Sequence, residues 1–312
     1  MREFHTPVLL KETIKYLSIK PGEKYIDATV GGGGHTKEIL KLGGKVLGID
    51  CDPEAIEAAR KSLQACPNSS WQLAQDKAMC RLVRGEVLHR LVRGNFVHLK
   101  KIGQENGFSQ VGGILFDLGV SSYQLETSRR GFSFSLEAPL DMRMDSGLTV
   151  TAADLINGLN RGELEKLFAK YGEEPDARRI AKTICQARQT KKIETTQQLA
   201  EIIVGAKSKR RQGRHPATRC FQALRIAVND ELNNLKEALP QTLTLLKPRG
   251  RLVVISFHSG EDRIVKQFFK EAEKNGKMNI LTKKPIGPSQ EEKIQNPRSR
   301  SAKLRSGEKN EK

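Results

Sequence analysis

Tyr25-Ile-Asp-Ala-Thr-Val-Gly-Gly-Gly-Gly-His-Thr-Lys-Glu-Ile-Leu-Lys-Leu-Gly-Gly-Lys-Val-Leu-Gly-Ile-Asp50 is the stretch that decides the fold. Lys24 to Ala28 reads as a short apolar strand. Gly31 to Gly34 is a hinge whose residues tolerate φ > 0 and let a ligand touch bare backbone. From Thr36 to Leu42 the spacing is helical, with Ile39, Leu40 and Leu42 able to face a sheet. Gly43-Gly44 ends that helix, and Lys45 to Ile49 is a second strand ending at Asp50. Strand, glycine loop, helix, strand and acid make the front half of a nucleotide-binding α/β domain. The loop N–H groups and the helix N-terminus favour an anionic group. Asp50, at a strand tip, is placed to accept from ribose hydroxyls.

A glycine loop is also compatible with a plain tight turn between strand and helix. A nicotinamide cofactor calls for Gly-x-Gly-x-x-Gly, the last glycine packing helix on strand. Counted from Gly31, that last position is Thr36. This departure argues against a dehydrogenase and for S-adenosylmethionine, which has a ribose but no pyrophosphate.

Composition narrows the class further. The chain has 312 residues, enough for one large or two modest domains. Lysine plus arginine number 54 against 36 aspartate plus glutamate, a net charge of +18, which suits a polyanionic partner, nucleic acid first. No strongly hydrophobic amphipathic helix is evident for a membrane surface. The five cysteines share no Cys-x-x-Cys spacing, so zinc and a disulfide framework are disfavoured, and they read as reduced cytosolic thiols. The apolar run Pro7 to Leu10 is too short for a signal peptide.

Along the chain, Pro53 beside Asp52 reads as a helix start. Arg81-Leu-Val-Arg-Gly85 recurs as Arg90-Leu-Val-Arg-Gly94. One copy is expected to form the third strand, and residues 69–89 read as an insertion. Gly112 to Asp117 and Arg251 to Phe257 are further buried strands, and Ser259 to Asp262 resembles a capping box. Between them, residues 151–206 read as short helices. Lys207 to Arg219 carries six lysines and arginines and no acid. A long helix over about Thr218 to Leu239 is expected to lead back to the sheet. The expected organisation is a class I (Rossmann-like) α/β sheet from residues 1–125 and 220–285. Residues 126–219 form an inserted all-helical domain, and 286–312 an extended basic tail.

Five stretches stand in order: Asp117-Leu-Gly-Val-Ser-Ser-Tyr-Gln124, Arg130-Gly-Phe-Ser-Phe134, Pro139-Leu-Asp-Met-Arg-Met-Asp145, His215-Pro-Ala-Thr-Arg219 and Ile255-Ser-Phe-His-Ser259. Together they resemble the bacterial RsmH (MraW) family, S-adenosylmethionine-dependent methyltransferases acting on N4 of a cytosine in small-subunit (16S) ribosomal RNA. The resemblance runs from His5 to about Arg305. It implies a class I methyltransferase sheet with an inserted helical domain, S-adenosylmethionine as cofactor, and 16S rRNA or the small subunit as cytoplasmic partner. The cofactor would be held by Gly33, Gly34 and His35, by Asp50, by Phe96 after the third strand, and by Asp117 and Gln124. Tyr123 stands where the family often has Pro, and Gly260 where it has Leu. No membrane partner is expected, and a homodimer is compatible with a sequence that fixes no oligomeric state.

The implied site residues lie at carboxyl ends of strands, where open α/β sheets bind ligands. Asp117 is the best placed acid to hold an N4 hydrogen or take its proton. Contact with the cofactor alone is the other reading, and both stay open. His258 is the second candidate, beside an ordinary role closing a strand. His35 is assigned to the cofactor pocket and not to proton transfer. Three classes of function compete. One is the rRNA methyltransferase; another is an enzyme on a different substrate, such as a DNA amino-methyltransferase or an oxidoreductase. The third is a non-catalytic RNA-binding protein. Asp117-Leu-Gly-Val replaces the Pro-Pro-Tyr/Phe motif usual in DNA amino-methyltransferases, and the intact glycine loop and acids argue against the non-catalytic reading.

Overall fold

The computed structural model describes residues 7–64, 88–121, 124, 128–135, 137–207 and 215–311. The chain divides into two compact units, one from residues up to Ser121 and from Leu232 onward, the other from Ser122 to Glu231. In chain order the first unit opens with α1 (Leu10–Leu17), β1 (Lys24–Asp27), α2 (Gly34–Lys41) and β2 (Lys45–Asp50). Next come α3 (Pro53–Gln64), β3 (His89–Arg93), α4 (Leu99–Glu105) and β4 (Val111–Asp117). The second unit contains α5 (Ala152–Gly158), α6 (Arg161–Gly172), α7 (Ala177–Thr190), α8 (Thr196–Ala206) and α9 (Thr218–Asn229). The chain returns through α10 (Glu231–Leu245) to β5 (Leu246–Ser256), α11 (Ser259–Lys274), β6 (Met278–Ile280), α12 (Gln290–Gln295) and β7 (Lys303–Lys309). Among the described residues no helix is long and apolar enough to cross a membrane.

The first unit is a seven-stranded sheet in the order β3-β2-β1-β4-β5-β7-β6. Strands β1 to β5 run parallel, and β7 is antiparallel to both β5 and β6. The strands are near-continuous apolar runs because both faces are covered, as parallel sheets require. Alternate residues face opposite sides. Ile26, Leu47, Ile114, Phe116 and Val254 pack with Leu235 and Leu239 of α10 and Phe269 of α11. Tyr25, Val46, Leu115, Val253 and Ile255 pack with Leu17 of α1 and Ile39 of α2.

Three sequence expectations change. The expected basic tail is, in its last part, an interior strand: β7 lies between β5 and β6 with Leu304 and Ser306 fully buried. Charges expected on an extended tail have partners far away in sequence. Arg305 Nε reaches Asp262 Oδ1 at 2.7 Å, and Arg251 Nε reaches Glu308 Oε2 at 3.0 Å. Gly307 fits because an added Cβ would sit 2.8 Å from the Phe269 ring. The expected helix from Thr218 to Leu239 is two helices, since Asp230 has φ 49° and ends α9. Asn229 is committed to the loop of the 139–145 stretch, donating to Met142 O at 2.8 Å and accepting from Met144 N at 2.7 Å. The helical unit therefore extends to Glu231 rather than to 219, with α9 packed on α6. Gly172 makes that approach possible, because a Cβ there would meet Arg219 O at 2.6 Å. The second Arg-Leu-Val-Arg copy is β3, while the first copy and residues 69–87 lie outside the described residues.

Helix starts in the second unit are set by side-chain caps. Thr151 with Asp154, Asn160 with Glu163 and Thr195 with Gln198 each form reciprocal capping boxes. In the first unit the expected box at Ser259 begins one residue earlier. His258 is the N-cap, accepting from Gly260 N, and Glu261 reaches back to Phe257 N at 2.7 Å.

Candidate active site

The parallel register lines up acids along the carboxyl edge of the sheet. Asp27 at the end of β1 lies beside Gly48 of β2 and Leu115 of β4, so Asp50 and Asp117 project past it on either side. Between β1 and α2 the loop turns through Gly31 (φ 50°) and Gly33 (φ 82°), conformations that favour glycine. A Cβ on Gly31 would meet nothing closer than Thr29 O at 3.9 Å, so the loop backbone has open space beside it. Gly48 has the opposite role, since a Cβ there would press on Leu91 and Val30 at 2.8 and 2.9 Å.

Asp50 latches this loop. One of its oxygens accepts from Gly31 N at 3.0 Å and the other from Asp52 N at 3.0 Å. Asp52 in turn caps α3, accepting from Glu54 N at 3.0 Å, as the sequence predicts. Burial pushes the Asp50 carboxyl up to about 6, against the pull of those two amides. Asp27 is also pushed up to about 6 by burial, and its bonds to Thr36 Oγ1 (2.7 Å) and Thr29 N (3.3 Å) oppose the shift.

Asp117 is the most perturbed of the three. Burial, then the nearby Asp27 and Glu261 carboxylates, hold it well above the usual carboxylate range. Its amide donates to Thr29 Oγ1 at 2.6 Å, which ties the tip of β4 to the loop after β1. Its Oδ1 is buried without a hydrogen-bond partner among the described residues. Its Oδ2 lies 3.6 Å from His35 Nδ1. The other ring nitrogen of His35, Nε2, is 3.1 Å from Val8 O, so a neutral ring carries its proton there and turns a lone pair towards Asp117. Leu9 N donates to Glu292 Oε1 of α12 at 2.7 Å, so the C-terminal segment holds the strap that orients His35.

Phe96 opens a 3₁₀ turn directly after β3, capped by Asn95 Oδ1, which accepts from Val97 N at 3.0 Å. Its half-buried ring meets Phe116 edge-on at 5.6 Å, so one edge is core. The geometry thus brings the glycine loop, His35, Asp50 and Asp117 to one edge of the sheet. Gln124 belongs to the second unit, where it is buried. His258 caps α11: its Nδ1 accepts from Gly260 N at 3.2 Å, and its Nε2 faces Glu261 Oε1 at 3.1 Å. Sequence reasoning passes over Asp27, Thr29, Thr36 and Glu261. An acid closing the first strand just ahead of a glycine loop is the signal that points to Asp27.

A buried, unpartnered carboxylate oxygen beside an open glycine loop is suited to a cationic or hydrogen-donating ligand. The comparisons with known proteins agree with a group-transfer enzyme. Residues 2–310 match the family model described as the MraW methylase family. The ribosomal RNA small subunit methyltransferase H of Halothermothrix orenii is 45% identical over 324 residues, covering 97% of this chain and 98% of that protein. The protein of the same name from Thermomicrobium roseum is 45% identical over 322 residues, covering 97% of this chain and 93% of its own. With one family model spanning almost every residue, and relatives this similar matched over nearly their whole length, the chain belongs to the MraW methylase family.

Proposed function

We propose that this chain methylates the exocyclic N4 of a cytosine in 16S ribosomal RNA, in or near the decoding centre, with S-adenosylmethionine as donor. The family and the name shared by its relatives, ribosomal RNA small subunit methyltransferase H, support the reading. The observation that carries it is Asp117, a buried carboxyl with one oxygen unpartnered among the described residues at the tip of β4.

The residues fit the donor. S-adenosylmethionine supplies a methyl group on a cationic sulfur, with an ammonium, a ribose and an adenine as handles. Asp50 uses one lone pair of each oxygen on Gly31 and Asp52, which leaves the others for ribose hydroxyls. The open side of Gly31 would admit the amino-acid end, and the half-buried Phe96 ring would stack on the adenine. A cation near Asp117 stabilises its carboxylate form and so opposes the burial that raises it.

The cytosine N4 lone pair is delocalised into the ring and is a poor nucleophile. Asp117, as a carboxylate, accepts one N4 hydrogen and localises that pair. The methylated nitrogen carries one hydrogen too many, and Asp117 is the acid placed to take it. His35 Nδ1, 3.6 Å from Asp117 Oδ2, can accept from Asp117 when that carboxyl is protonated. The substrate base must leave its stack to reach this edge. The helical unit and the acid-free run from Lys207 to Arg219 are assigned to the RNA, and the enzyme to the cytoplasm, where that RNA is.

Mass analysis of nucleosides from 16S rRNA tests the reading. A strain lacking the gene should lose N4-methylated cytidine and regain it with the parent gene but not with Asp117→Asn. Retention of the modified nucleoside in the deletion strain would overturn the assignment.

A further inference from the structure

Two of the five motif stretches, Arg130-Gly-Phe-Ser-Phe134 and His215-Pro-Ala-Thr-Arg219, have no part in the acid cluster. They meet inside the helical unit. The Phe134 and His215 rings stack with centroids 4.3 Å apart and planes 23° from parallel. Behind them Phe221, buried in α9, meets Phe134 edge-on at 5.1 Å. The array thus runs outward from core to surface: Phe221 buried, Phe134 half-buried, His215 exposed.

Every part of this array is held in place. Gly131 has φ 70°, and a Cβ there would meet Pro139 O at 2.3 Å, so only glycine lets the Phe134 segment lie against the 139–145 stretch. Arg130 clamps the same stretch by donating to Arg143 O and Met144 O at 2.9 and 3.0 Å. His215 Nδ1 accepts from Ala217 N at 3.2 Å, which fixes the rotation of the ring. Thr218 Oγ1 donates to His215 O at 2.8 Å, and Arg219 Nη1 donates to Glu173 O at 2.6 Å. One face of the imidazole is covered by Phe134, so its exposure lies on the other face and the free edge. An oriented, exposed ring on an aromatic base is a poor core element, and it directly follows the basic run from Lys207 to Arg214.

We propose that Phe134 and His215 form a stacking platform for one unpaired nucleobase of the RNA, seated on the outer face of His215. The proposal rests on the RNA reading above and deepens it. Single-stranded RNA is recognised by stacking unpaired bases on aromatic and histidine rings, with nearby cations on the phosphates. The platform accepts any base, because every base has a π face, so it positions RNA without reading its sequence.

The test uses the full chain, a fluorescein-labelled oligoadenylate and its abasic counterpart, titrated by anisotropy. His215→Ala should weaken oligoadenylate binding by about 5- to 150-fold, the range for loss of one stacked base. His215→Phe, which keeps the ring but no polar edge, should stay within about threefold of the parent. Neither substitution should alter binding of the abasic chain or the salt slope, since no phosphate contact is removed. Parent-like binding by the alanine variant would overturn the platform. So would equal weakening in the alanine and phenylalanine variants, which would assign the effect to the polar edge. Equal weakening on the abasic chain would also overturn it. Calorimetry with S-adenosylmethionine on the parent separates the two readings: absent cofactor binding would sink the methyltransferase assignment alone, while the oligonucleotide titrations still decide the platform.

Discussion

Replacing Asp27 by Asn should make the protein more stable near neutral pH. Asp27 is 1% exposed and accepts from Thr36 Oγ1 and Thr29 N. Asparagine can keep both contacts, its oxygen taking the Thr29 amide and its NH₂ donating to a Thr36 hydroxyl that turns its own proton away. What changes is the charge. The carboxyl titrates near 3.8 when unfolded and is pushed up to about 6 in the fold. A carboxylate raised in this way costs nothing below the unfolded value. It costs progressively more as pH rises from about 4 to 6, and the full amount above that. At 1.36 kcal/mol per unit, the full cost is about 3 kcal/mol. Urea denaturation near pH 7.5 should therefore show Asp27→Asn more stable by up to about 3 kcal/mol, shrinking to about 1 kcal/mol near pH 4.5. Asp27 also raises Asp50 and Asp117 by repulsion, so both should titrate lower in the variant. A gain in stability of equal size at both pH values, or a loss near pH 7.5, would refute this account of the buried charge.

Three further outcomes follow from the same geometry. Asp50→Ala should weaken S-adenosylmethionine binding by calorimetry by on the order of 2–4 kcal/mol. Its folding stability near neutral pH should change little, because the broken latch to Gly31 and Asp52 offsets the relieved burial; unchanged cofactor affinity would move the ribose contact elsewhere. Asp117→Asn should slow single-turnover methyl transfer by ~10²–10⁴ while affecting cofactor affinity far less, and recovery of the parent rate at saturating cofactor would leave Asp117 a binding residue only. Replacing Lys209, Arg210 and Arg211 together by Ala should flatten the salt dependence of RNA binding by about 0.7 for each RNA phosphate no longer neutralised, and an unchanged slope would make the run a solvated loop.

What could be read from the sequence followed from short-range chemistry. The strand, glycine loop, helix and acid of residues 25–50 were legible because each signal lies within a few residues of the next. The cap at Asp52 was legible for the same reason. What could not be read depends on distant partners. Lys303 to Lys309 looks like a charged tail until Arg305 meets Asp262 and Glu308 meets Arg251. The break at Asp230 is hidden because Asn229 is recruited by Met142 and Met144, from the other side of the helical unit's sequence. His258 is a second candidate because it closes a strand. Its Nδ1 caps the helix that follows, while its Nε2 is buried beside Glu261 Oε1.

The acid edge separates two candidates that the sequence leaves alike. Asp50 and Asp117 both end strands, and nothing in their local sequence separates them. Their surroundings do. Asp50 has two backbone amides and a modestly raised carboxyl, the environment of a group that binds and latches. Asp117 has an unpartnered oxygen among the described residues, two repelling carboxylates and His35 Nδ1 at 3.6 Å, which suits the proton exchange proposed for it. Two like acids given different roles by burial and neighbours is how one site can bind and perform proton chemistry near neutral pH. The same burial that makes Asp27 and Asp117 costly in the free protein is what a bound cation relieves. If the donor binds there as proposed, part of its affinity would come from relieving that burial.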